Sequence, residues 1–269
     1  MLQANLEAQE TAIQEQEIAI QAQENEIVTL QTQMQQSAPP IDPEAFAPQF
    51  PEGVIARDLK TRLGNAVWFC LHERTQRDLS LALERYQRIQ AEAFTAQTTD
   101  YDYSEAGDRL GAAVHREVVQ PFFRALQTYR TENEEADTDL LVLPQKKPSL
   151  EMLPPLLAER WQTFQGDRLC QNRPPDERDF YVITSNPAFN PDQQRQIILF
   201  LQTWEHPLAE WLLSNRGYAA ATLDQIGQLR SLANRPEDLL YEWQFQRMAE
   251  LVLGGSDEPG LFREIYGAK

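Results

Sequence analysis

Three histidines, His72, His115 and His206, and two cysteines, Cys70 and Cys170, are the side chains best suited to metal binding, nucleophilic attack or proton transfer near neutral pH. Their spacing joins them poorly. Cys70 and His72 stand two apart, and on a helix such residues point in different directions. His72-Glu73 lacks the second histidine that a zinc-protease helix needs. His206 and Glu210 are four apart and share a helix face in principle, but Pro207 disturbs the helix between them. His115 with Glu117 or Asp108 is a pairing that only a folded pocket would assemble. A structural zinc needs four convergent ligands, and no ligand pattern joins the histidines.

Sequence motifs add no chemistry. GxGxxG, P-loop, GxSxG and kinase signatures are absent. Gly254-Gly255-Ser256-Asp257 has the composition of a phosphate loop, but it follows a helical pattern instead of a strand and lacks the lysine, so it reads as a helix stop. The expectation is no catalytic, cofactor-binding or metal site, and a protein that is not an enzyme. An enzyme with an unrecognised constellation is the alternative, and it requires a concave pocket that gathers distant polar residues.

The clearest pattern lies at the start of the chain. Leu6, Ile13, Ile20, Ile27 and Met34 recur every seven residues, with Leu2, Gln9, Gln16, Gln23 and Leu30 as the companion series. That is the a/d repeat of a coiled coil, with Leu2, Leu6, Ile13, Ile20, Ile27, Leu30 and Met34 as its apolar interface. Buried Gln layers cost stability, because each amide must find a partner inside the seam. Position e carries Glu10, Glu17 and Glu24, position g carries Ala12, Ala19 and Glu26, and no Lys or Arg precedes Arg57. A parallel homodimer therefore lacks its usual flanking ion pairs. Three readings follow: a weak homo-oligomer, a heterotypic coil with a basic partner helix, or a solvated Gln-rich segment.

Charge narrows the partners. The 269 residues hold 24 basic and 41 acidic side chains, a net charge of -17. Such a surface repels phosphate backbones and anionic membranes, and the longest basic cluster is Lys146-Lys147. Neither nucleic acid nor a membrane is expected as a partner. Two cysteines beside apolar neighbours, with no CxxC pair, read as buried free thiols. The acidic, Gln-rich start is unlike a signal peptide, and a cytoplasmic protein is expected.

The elements that would position these residues are mainly helices. Five prolines between Ser37 and Pro51 give an extended spacer over 37–53. A helical region over 54–145 begins with one long helix, or two end to end, from about 54 to 97, with Gly64-Asn65 as a weak point. Ser104 caps the next helix, which Pro121 kinks, and Glu132 to Asp139 ends it. Leu140 to Leu143 reads as a short strand or a tether. A C-terminal helical region over 150–269, either one domain with the first or a second domain, starts with a helix from Pro154 to about Gln165.

Phe180 to Thr184 is the best strand candidate, with little to pair with. Asn190-Pro191-Asp192 starts a helix that Pro207 interrupts and Asn215 to Gly217 closes. Thr222 and Gln225 fit a capping box for a helix to about Ala233, and Asn234 and Pro236 open another. A short helix from Pro259 to Tyr266 finishes the pattern. Trp68, Trp161, Trp204, Trp211 and Trp243 fall on these helices as core residues, with Trp204 and Trp211 on one helix face. The fold expected is all-α: a coiled-coil helix, then a multi-helix bundle with at most one short strand pair.

Leu83 to Ala93 (LERYQRIQAEA) and Val118 to Leu126 (VVQPFFRAL) are similar to the helix region of the nucleotide exchange factors of DnaK-type chaperones. That family also joins a long acidic N-terminal coil to a helical bundle. The resemblance covers about twenty residues, carries no site residues across, and implies a chaperone co-factor. It lacks the family's compact β-domain at the C-terminus. The leading expectation is a non-enzymatic adaptor or scaffold. It self-associates or pairs through residues 1–36 and binds protein partners through its helical body.

Overall fold

The computed structural model describes residues 53–96, 101–133, 147–176, 180–235, 237–255 and 258–267. The heptads of 1–36, the proline-rich spacer up to Glu52 and the stretch 134–146 lie outside the described residues. Residues 49–269 make one compact unit. It is mainly helical, and its described residues contain one two-stranded antiparallel sheet.

The long helix expected from 54 to 97 is three helices: α1 (Val54–Leu63), α2 (Asn65–Cys70) and α3 (Glu73–Ala96). Gly64, at φ 85°, makes the first break in a backbone region that disfavours other residues. A second break follows at Leu71. Leu71 is extended, and the His72 Nδ1 accepts the Arg74 amide N–H at 3.1 Å, so His72 caps α3.

After α4 (Ser104–Val114) the helix widens into a π-turn (His115–Val119) just before Pro121 and continues as α5 (Gln120–Glu132). Pro121 has no N–H for the carbonyl four residues back, and its ring crowds that carbonyl. The wider turn, in which the Gln120 N–H reaches the His115 carbonyl, accommodates both. Ser104 opens α4 without a side-chain cap; its own amide is held by the Asp102 carboxylate at 2.9 Å.

A 3-10 turn (Leu150–Met152) leads into α6 (Pro154–Leu157), and here the expected helix to Gln165 is overturned. Ala158 is extended and Arg160–Phe164 forms β1, burying Trp161, Thr163 and Phe164. These residue types favour strands, and β1 has a partner. After the short α7 (Gly166–Leu169), β2 (Tyr181–Ser185) pairs with β1 in antiparallel register, Gln162 opposite Ile183. The strand candidate was therefore right about type and wrong about having nothing to pair with. Trp161 belongs to this strand, not to a helix.

α8 (Pro191–Thr203) is capped by the Asn190 side chain, which accepts the amides of Asp192 and Gln193. α9 (Pro207–Ser214) starts at the proline, as expected. The next helix, α10 (Arg216–Ala233), starts six residues before the expected capping box. Asn215 caps it by accepting the Tyr218 amide at 3.2 Å, and Thr222 and Gln225 lie buried in its interior. Three successive alanines, Ala219 to Ala221, favour helix strongly enough to carry it through.

Buried nearly all round, α10 is the central element. It packs against α4, α6, β1, α9 and α11 (Glu242–Leu253). Asn234 does not open a helix: the chain runs irregularly to α11, with Leu240 fully buried and its carbonyl accepting the Tyr103 N–H at 2.8 Å. Gly254, at φ 93°, stops α11, and α12 (Leu261–Tyr266) closes against α2, α9 and α11. No helix among the described residues is long and apolar enough to cross a membrane.

Candidate functional site

A groove of about 1040 Å³ opens where four parts of the fold meet: the α2–α3 junction, the π-turn with α5, the end of α8 with His206, and Tyr266 of α12. The π-turn matters because it re-aims side chains at the point where the helix widens. Glu117 lies on it and is 6% exposed. One of its carboxylate oxygens accepts the His72 backbone N–H at 2.9 Å, and the other accepts the Tyr266 hydroxyl at 3.0 Å. The buried carboxylate thus ties the start of α3 and the last helix to the groove floor. Burial, and after it the charge of Glu117, pushes the Tyr266 phenol well above its ordinary value.

One wall is aromatic. Phe200, Trp204 and His206 form a continuous stack, with centroids 5.5 Å and 4.8 Å apart and rings tilted by only 16° and 14°. Phe122 meets the first two edge-on from below. Trp204 and Trp211 do not share a helix face, because the chain breaks at Trp204 and restarts at Pro207. Trp211 instead donates its indole N–H to Glu264 at 2.8 Å.

His206 repeats what His72 does: its Nδ1 accepts the Leu208 N–H at 3.1 Å and caps α9. In both rings the proton must then sit on Nε2. Burial lowers the His206 pKa from its ordinary 6.5, with the Glu117 charge pulling the other way. The unfolded chain therefore takes up the proton first, so this contribution to stability is complete above pH 6.5 and is lost as pH falls below it. Urea midpoints measured from pH 7.5 down to pH 5 are expected to fall. His206→Asn, which keeps an N-cap acceptor and cannot titrate, is expected to flatten the slope.

The remaining wall carries three arginines together with the exposed Glu132. Arg116 is engaged by Asp78 at 2.8 Å and by Thr75. Arg74 and Arg124 are exposed at the groove and have no ion-pair partner among the described residues. Cys70 lines the groove as well. Both it and Cys170 are exposed, so the expectation of buried thiols is corrected: Cys70 falls on the last turn of the short α2, whose inward positions Val67 and Trp68 take.

The other histidine combinations do not form. His115 bonds the Pro148 carbonyl at 3.0 Å, and Asp108 faces Arg230 and Asn234. Among the described residues no hydroxyl or thiol is hydrogen-bonded to a histidine, and no group of three or more His, Cys, Asp and Glu residues could hold a metal ion. What the groove offers is an apolar wall, two uncommitted guanidinium groups and a fixed floor, which is the chemistry of binding. Sequence reasoning placed none of Glu117, Arg74, Arg124 and Tyr266 in it together. A readable signal was His followed by Glu or Pro at two helix starts.

No protein-family model, curated protein or solved structure matches this chain.

Proposed function

We propose that the protein is an adaptor or scaffold that assembles through residues 1–36 and holds a protein partner in the groove of its helical body. The observation that carries this reading is the groove itself: about 1040 Å³, walled by the Phe200–Trp204–His206 stack and by unpaired Arg74 and Arg124. The seven-residue repeat supports the assembly half, since bringing bodies together raises the apparent affinity of each groove through effective concentration.

Light scattering on the full chain tests the assembly half. Wild type is expected to be a defined oligomer, and the double variant Ile13→Asp/Ile20→Asp a monomer with unchanged thermal unfolding of the body. A monomeric wild type would remove the homotypic reading and leave a basic partner helix as the coil's counterpart.

One observation favours a second reading, an enzyme: Cys70, His72, Glu117, His206 and Tyr266 converge on the same groove. Against it, both Glu117 oxygens already hold protein donors and no nucleophile–base hydrogen bond is formed. Nothing in the groove singles out the chaperone co-factor alternative. Its two similar stretches lie on α3 and across the π-turn into α5.

A further inference from the structure

We propose that the groove takes a short acidic segment of a partner protein, with its carboxylates on Arg74 and Arg124 and an apolar side chain against the aromatic stack. This deepens the adaptor reading and rests on it.

Charge complementarity names the occupant. In a chain of net charge -17, most of the described ion pairs consume an arginine within a few residues or on a facing helix. Arg74 and Arg124 are among the arginines outside those pairs, and both line the groove. They come from the first turn of α3 and from α5, fifty residues apart in sequence, and line one groove whose carboxylates are the buried Glu117 and the exposed Glu132 at the end of α5. A guanidinium presents a planar fork of N–H donors that matches a carboxylate.

Of the neighbouring acids, Glu73 and Glu132 are exposed to solvent and form no ion pair with either arginine among the described residues. Glu117 is committed to His72 and Tyr266, and Arg116 is committed to Asp78. The stack and Tyr129 supply the apolar half of the surface, which a purely polar anion would leave unused. The strongly acidic remainder of the molecule repels acidic segments elsewhere, which confines them to this place.

The experiment uses the full chain and fluorescence polarisation. The probe is a fluorescein-labelled ten-residue peptide alternating Glu with Leu and Phe, and the comparison is the same peptide with Gln for Glu. The acidic peptide is expected to bind at least about tenfold tighter, and added salt to erase the difference. Arg74→Ala/Arg124→Ala should weaken it by about tenfold or more with unchanged circular dichroism. Arg195→Ala, an exposed arginine of α8 outside the groove, should leave it unchanged.

Equal binding of the two peptides, no binding of either, or equal losses in the arginine variants would overturn the proposal. So would displacement by inorganic phosphate at concentrations where sodium chloride of equal ionic strength has no effect, because the site would then be built for a phosphate. Failure here leaves the light-scattering result untouched, so the acidic-segment inference and the assembly reading can fail separately.

Discussion

Gly260→Ala, the addition of one methyl group, is expected to lower the stability of the body by about 3 kcal/mol. Gly260 has φ -80°, which any residue adopts, so the cost is purely one of space. A methyl group there would lie 2.1 Å from the Gly254 nitrogen and 2.4 Å from the Leu253 carbonyl carbon. Those atoms are backbone and cannot swing aside as a side chain would.

Relief requires moving the turn that joins α11 to α12, where Gly254 and Pro259 form an antiparallel bridge and the Arg62 guanidinium donates to the Gly254 carbonyl. α12 would then pull Leu261, Phe262 and Ile265 out of the core. Gly255→Ala is the control, because nothing lies within 4 Å of its new methyl. Chemical denaturation of the pair checks this. Two equal midpoints would mean that the close approach is not what holds the turn.

Glu117→Ala comes next, with an expected loss of about 3 kcal/mol. It strips a buried carboxylate from two donors, the His72 N–H and the Tyr266 hydroxyl, and both stay behind in a partly buried setting. Glu117→Gln separates the two roles. Its amide oxygen can still accept one of those bonds, so about half of the stability should return.

The charge is gone in either variant, and a spectroscopic titration reads its absence. The Tyr266 phenol should move down toward its ordinary value of 10.0, yet stay above it, because burial is the larger cause of its shift. A Tyr266 titration identical to wild type would show that the carboxylate does not reach the ring.

The sequence carried the helices better than their joints. The helix starts at Asn190-Pro191 and Pro207 and the stop at Gly254 were readable because each combines a cap or a backbone demand with a change of hydrophobic period. β1 was not readable: Arg160 to Phe164 follows two prolines that announce a helix, and its strand character depends on β2 some twenty residues away. Thr222 and Gln225 matched a capping motif by spacing alone, while the alanines before them kept the helix running.

Gly107 and Gly111 held an unread signal. Four apart on α4, they let Leu240 and Arg230 approach within the space of a missing side chain. The groove was least visible, since Arg74, Glu117, His206 and Tyr266 share no local pattern. Tertiary packing, above all of α3 against α4 and of α12 against α2, brings their segments to one place.

The exposed thiols of Cys70 and Cys170 have a consequence for how assembly is measured. Each copy carries two linkable points, so under air oxidation copies can be joined into open-ended covalent chains, which a single exposed cysteine could never give. Such ladders would grow with time, vanish with a reducing agent, and ignore Ile13→Asp/Ile20→Asp. Association through the heptads would be reversible, indifferent to the reducing agent, and abolished by that variant.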